Sequence, residues 1–503
     1  MGFSVETKTL LRLEWHELVE QLRSSARTPL ARDRLTDLHA PFAASRGEML
    51  RLQVMTRQAD GLLEAGRDLP VGDLSPLDEI FGRVGRGGSV TPRELREVAS
   101  ACGALSDARG LLDASAEVAP DLAEAGTAIV SLAFLAEEIH SSIGPDGVIL
   151  DSASDALARA RSETQRLAGE GKRRMEGALR DESLRASLAD SFYTVRNDRF
   201  VLPVRADARG SVPGIVHDAS ASGATIFVEP SDFVELNNRH KRAELEALRE
   251  ERRIVAALSA EVARAVPELR AGLEALAELD LIFARAKLSR QLGGVPPEIG
   301  DEGVIEIRAL RHPLLGAHAV PNDFSLGGPY RVLVISGPNA GGKTVAMKAA
   351  ALAALCVRAG LYVAGDAGAR VDVFDEVLAD IGDEQDIREN LSTFSAHMAN
   401  LAAIVRDAGP RSLVVLDEIG VGTDPSEGAA IAQATLEALA ERGARVVTTT
   451  HYNLLKELAE VDERFENAAV SFDPETLRPT YELRMGIAGT SSALSVAERM
   501  GMP

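Results

Sequence analysis

The stretch RVLVISGPNAGGKT, residues 331–344, decides how the C-terminal part of the chain folds. Val332, Leu333, Val334 and Ile335 make a β-type run that ends in a glycine-rich turn, and an Ala/Leu-rich helical run follows. From Gly337 to Thr344 the turn fits G-x-x-x-x-G-K-[ST]. Gly337, Gly341 and Gly342 let backbone N–H groups converge on phosphate oxygens, with the helix N-terminus adding a partial positive charge. Pro338, Asn339 and Ala340 complete the cradle. Lys343 is placed to reach the β/γ-phosphates and Thr344 to ligate Mg²⁺. The order strand, turn, helix predicts an ATP-type nucleotide site.

Two further strands extend this reading. LVVLDE (Leu413–Glu418) is apolar and ends in two carboxylates. Asp417 suits the Mg²⁺ shell, and Glu418 suits orienting or deprotonating an attacking water. ARVVTTTHY brings His451 to a strand end, where an imidazole can sense a γ-phosphate or serve structure alone.

The chain has 503 residues, enough for two to four domains, and a net charge of −21 that argues against a general polyanion binder. Any nucleic-acid contact must then come from local basic faces or from enclosure. Cys102 and Cys356 lie far apart without metal-ligand spacing, which fits a reducing, cytoplasmic setting. The start MGFSVETKTLLRL shows no secretory signal, and the apolar run 349–357 is too short to span a bilayer.

The expected architecture is multi-domain: an α-helical core with a long helical clamp arm, plus an α/β P-loop ATPase domain of ABC type. Residues 1–150 read as a helical core or lever, with a helix start at Thr91-Pro92 backed by Glu94. Residues 151–270 read as the arm, 271–302 as a return helix of the core and 303–503 as the ATPase. In the arm, Leu157, Ala160, Thr164, Leu167, Gly171 and Met175 step by three and four. A second helix from about Ser231 to Val266 carries Leu236, His240, Ala243, Ala247, Ile254 and Leu258. Between them lie four short β-runs with turns at Asn197-Asp198 and Ser222-Gly223. The arm also holds the candidate polyanion contacts. Acids are interleaved along its helices, so Arg196, Arg199, Arg205 and Arg209 near the β-runs are the better candidates for phosphates.

VPNDFSLGGPYRVLVISGPNAGGKT, STFSAH (Ser392–His397), LDEIGVGTDPSEGAA (Leu416–Ala430) and TTTHYNLLKEL (Thr448–Leu458) together resemble the MutS-type ATPase. RHPLL at Arg311 and GIAGTSSALSVAERMGMP (Gly486–Pro503) are also similar to that family. VRNDRFVLPVRAD, GIVHDASASGATIFVEP, ELNN and IGDEQD resemble its second bacterial paralogue, a suppressor of homologous recombination. The resemblance implies ATP and Mg²⁺ as ligands, Asn339 along the γ-phosphate, and Val320 with the backbone near His312 beside the adenine. It also implies that Ser392 reaches across a homodimer to the partner's nucleotide. Asn390 and Leu391 precede Ser392, where the repair proteins carry Gly and a basic residue.

Mismatch readers of the family carry an N-terminal Phe-x-Glu wedge. The first hundred residues show no such module, and Phe227-Val228-Glu229 falls in a β-run, where alternation makes Phe227 a core or inter-strand residue. The paralogue continues past its ATPase into a small nuclease domain, so a chain ending at Pro503 is expected to lack it. A transporter-type ATPase would show L-S-G-G-Q and a GTP switch N-K-x-D, and neither occurs. The expectation is a homodimeric, Mg²⁺-dependent ATPase clamping branched or duplex DNA without mismatch preference, with ribosome binding as the alternative and no membrane partner.

Overall fold

The computed structural model describes residues 3–338, 341–382, 392–421, 423–473 and 478–489. Contacts divide the chain into two compact units. One comprises Met1–Asp73, Asp107–Ile129 and Gly272–Pro503, the other Leu74–Ser106 and Val130–Ala271.

The first unit is built on a seven-stranded sheet. Its order is Ser4–Val5, Glu376–Asp380, Ser412–Leu416, Arg445–Thr450, Val332–Ser336, Phe465–Phe472 and Pro479–Met485. All pairings are parallel except the last. Parallel strands are covered on both faces, so they read as continuous apolar runs. VLVIS and SLVVL are accordingly buried at every position. Alternate residues serve opposite layers. Leu333 and Ile335 join Met347, Leu352 and the N-terminal Leu10 and Trp15, while Val332 and Val334 join Leu401, Ile404 and Leu436. The edge strand Ser4–Val5 was not foreseen: two residues carry no period, and only the pairing with Glu376–Val377 makes them a strand.

The apolar run 349–357 is, as expected, a helix packed against this sheet. It belongs to Lys343–Arg358, in which Ala349 to Arg358 are all buried, Cys356 among them. Backbone N–H groups take several of its last carbonyls, and side chains take Val357 and those just beyond the helix. Gln53 Nε2 donates to Val357 O and Leu361 O, Thr56 Oγ1 to Gly360 O, and Arg285 Nε to Ala359 O at 2.7 Å. Burial lowers the Arg285 pKa to about 10.

In the second unit the helix Asp155–Arg180 buries Leu157, Ala160, Leu167, Gly171 and Met175, the stripe read from the sequence. A Cβ on Gly171 would stand 2.5 Å from Phe200 Cε2, so a larger residue there would have to displace the Phe200 ring. The four-stranded sheet, ordered Thr194–Arg196, Arg199–Arg205, Thr225–Pro230 and Gly214–Ala219, packs on both long helices through Leu202, Val204, Val228, Met175 and Phe233. Asn197 and Asp198 turn the first hairpin with φ of 49° and 58°, as a two-residue turn of mirror type requires. Helix Pro92–Ser115, which carries the buried Cys102, opens with the expected cap: Thr91 N donates to Glu94 Oε2 and Glu94 N to Thr91 Oγ1.

One boundary differs from expectation. The second long helix does not stop at Val266, and no separate return helix begins at 271; a single helix runs Ser231–Gln291 with Pro267 inside it. An internal proline costs a helix about 3 kcal/mol. Burial of Leu269, Leu276, Leu279 and Phe283 beyond it outweighs that cost.

Candidate nucleotide site

Lys343 opens its helix directly after Gly342, whose φ of 94° is in the left-handed region. Gly337 has φ 135°, and a Cβ there would lie 2.6 Å from Val470 Cγ2. Two of the three glycines are thus fixed by backbone conformation, the first also by close approach of the neighbouring strand. Lys343 Nζ, on a side chain only 5% exposed, donates to Gly337 O and pairs with Glu418 Oε1, both at 3.1 Å. Thr344 Oγ1 donates to Asp417 Oδ2 at 3.0 Å. Asp417 also accepts a short hydrogen bond from Thr449 Oγ1, and its N–H donates to Asp380 O at 2.9 Å. Glu418 N–H is taken by the same Thr449 hydroxyl at 3.0 Å. Glu418 itself has φ 49°.

The fold therefore brings together Lys343, Thr344, Asp417 and Glu418, which lie on two motifs about seventy residues apart. A hydroxyl and a carboxylate in direct contact form the hard oxygen pair that suits Mg²⁺. His451 is exposed beside this site, with its ring 4.4 Å from that of Tyr452, and makes no hydrogen bond among the described residues. Asn339 and Ala340 lie outside the described residues, as do the segment 383–391 and the side chain of Ser392.

A cavity of about 270 Å³ adjoins Gly342, lined by His312, Val320, Asn322, Val345 and Tyr481 among others. It contains the two positions expected beside adenine. Burial lowers the His312 pKa below the ordinary imidazole value, and its Nδ1 has no partner among the described residues. Tyr481 stands at φ 61°, held by Asn322, which donates to Tyr481 O and accepts from Leu483 N. Sequence reading missed Thr449, Asn322 and Tyr481. Of these only Thr449, inside an unusual Thr448-Thr449-Thr450 run on a buried strand, leaves a trace in the sequence.

Residues 333–503 match the family described as MutS domain V. Over nearly the whole chain, the similarity is to proteins called endonuclease MutS2. That of Pelotomaculum thermopropionicum is 43% identical over 499 residues, covering 99% of this chain and 63% of the relative. That of Bacillus velezensis is 38% identical over 503 residues, covering 99% and 64%. The chain fits a MutS2-type protein. It spans slightly less than two thirds of the length of these MutS2 relatives.

Three of the four segments that resemble this branch converge in the structure, and the fourth, IGDEQD, lies mostly outside the described residues. Glu229 of FVEP is fully buried, accepting from Arg199 Nη1 at 3.1 Å and Asn237 Nδ2 at 2.7 Å, and it contacts His217 Nε2. Arg199 also donates to Asn238 Oδ1 at 2.7 Å. VRNDR, GIVHD, FVEP and ELNN are therefore held together by one buried carboxylate. This changes the standing of the four candidate arginines, which were chosen for having few local acids. Arg199 is committed to Glu229, and Arg205 pairs with Asp207 at 2.6 Å. Arg196 lies over the Phe227 ring at 4.8 Å and is 3.6 Å from Asp218. Phe227 is half-buried opposite Pro203 and Asp218, an inter-strand residue as expected. Arg209 is exposed and forms no ion pair among the described residues. The missed acids are cross-strand or tertiary neighbours in two cases and a two-residue neighbour in the third. Among the described residues no helix is long and apolar enough to cross a membrane.

Proposed function

We propose that this chain is a Mg²⁺-dependent ATPase that works as a homodimer and clamps nucleic acid with its paired long helices, favouring branched recombination DNA. The supporting observation is the Lys343–Glu418 and Thr344–Asp417 network at the head of the Lys343–Arg358 helix. Thr344 and Asp417 would hold Mg²⁺, which supplies charge neutralisation of the β- and γ-phosphate oxygens. Lys343 transfers its ammonium from Glu418 to the phosphates, and the released Glu418 carboxylate orients water and takes its proton. Pocket residues Val320 and His312 border the base. Ser392 completes the partner's site, and closing of the two heads on ATP couples turnover to the grip. The names of the MutS2 relatives add endonuclease activity to this reading for the longer proteins.

ATP turnover measured side by side with paired duplex, mismatched duplex, four-way DNA and ribosomes tests the proposal. Four-way DNA should stimulate most, with mismatched and paired duplex within a few-fold of each other. A mismatch preference above roughly tenfold, about 1.4 kcal/mol, would overturn the DNA reading. Stimulation by ribosomes alone would favour ribosome binding instead.

A further inference from the structure

Asp380 ends the strand beside Ser412–Leu416, and its side chain is only 8% exposed. A buried carboxylate persists only when donors surround it. Three do so here. His397 Nδ1 stands 3.0 Å from Oδ2, while Asn400 Nδ2 and Arg12 Nη1 donate to Oδ1 at 2.8 and 3.2 Å. His397 and Asn400 are three residues apart on the helix Ser392–Asp407 and so share one face. Gly382 makes room for the first of them, since a Cβ there would stand 3.3 Å from His397 Cε1. This polar tether is separate from the apolar anchor that Leu401 and Ile404 give the same helix. The other end of Asp380 faces the reaction: its carbonyl oxygen accepts the N–H of Asp417 at 2.9 Å.

One residue thus joins two parts of the machinery. We infer that Asp380 is a positioning residue: it fixes the helix that starts at Ser392 relative to Asp417 and Glu418, so that one protomer's own site and the serine it lends to its partner are held in a set relation. The inference rests on the reading of Ser392 as a residue acting across the dimer. Asp380 and His397 touch no nucleotide in this scheme. Losing the tether therefore leaves the Lys343 cradle and ATP binding intact but misplaces Ser392 at the partner's site.

The test is steady-state ATP hydrolysis by D380N, H397A, S392A and the two doubles D380N/S392A and H397A/S392A. D380N, H397A and S392A should each lower kcat about tenfold with KM for ATP within about twofold. Each double should be no slower than its slower single, because the tether acts only through Ser392. R12A removes the third donor without touching the helix and should keep kcat within about twofold of wild type. If D380N fails to fold, H397A carries the test, since His397 is partly exposed and Asp380 keeps Arg12 and Asn400. Multiplicative loss in the doubles, near-normal kcat in both tether variants, or a change confined to KM would overturn the role of Asp380 and leave the composite site standing. Normal turnover by S392A would overturn the composite site and, with it, the route assigned to Asp380.

Discussion

Glu418 occupies a left-handed conformation that costs an ordinary L-residue about 1–2 kcal/mol, and it does so beside Lys343. Strain of this kind persists where neighbours over-determine it, here through the Thr449 hydroxyl on the Glu418 N–H. The arrangement aims the carboxylate at the cradle instead of along the strand. Glu418→Gln should slow hydrolysis by orders of magnitude while ATP stays bound, because it removes water activation and relieves Lys343 of a competing partner. Lys343→Ala should abolish nucleotide binding or turnover. Nucleotide titration and single-turnover hydrolysis check both, and a normally active Glu418→Gln would remove that residue from its role. Lys343, Thr344, Asp417 and Glu418 were legible in the sequence because their spacing is local. Thr449 and Asp380 were not, because their contacts to Asp417 and Glu418 come from neighbouring strands that only the sheet order brings alongside.

Among the elements, the four-stranded sheet separates arginines that look alike in sequence. Arg199 serves the buried Glu229, whereas Arg209 projects without an ion pair among the described residues. Arg209→Ala should leave the melting temperature unchanged, weaken nucleic-acid binding and reduce the salt slope of binding by about 1. Arg199→Ala should instead destabilise the sheet by about 3 kcal/mol, since it strips a partner from a buried carboxylate. Denaturation midpoints and salt-dependent binding distinguish the two; equal salt slopes for Arg209→Ala and wild type would remove Arg209 from the interface. The long helices were legible through period: Leu157 to Met175 fall on one buried stripe. The end of the second helix was not, because a local rule places a stop at Pro267 and only burial further along overrides it.

For the whole molecule, the proposed dimer has a property that no single protomer carries. Ser392→Ala and Lys343→Ala are each expected to be impaired. Mixed under verified subunit exchange, they should recover about one competent site per mixed dimer, because both defects then fall in the same composite site and leave the other whole. No recovery, or full wild-type activity in a monomeric peak on a sizing column, would exclude the trans arrangement. The two cysteines offer a way to watch the molecule without altering it. Burial raises both thiol pKa values to about 12, and Cys102 lies in one compact unit while Cys356 lies in the other. In the native state neither presents a thiolate, so alkylation must wait for its surroundings to open. The pair acts as two stopwatches, and the lag before each is labelled reads the opening free energy of its own unit. ATP should lengthen the lag at Cys356, whose helix begins at the proposed nucleotide cradle. A matching delay at Cys102 would be a direct measure of how far that stabilisation travels along the chain.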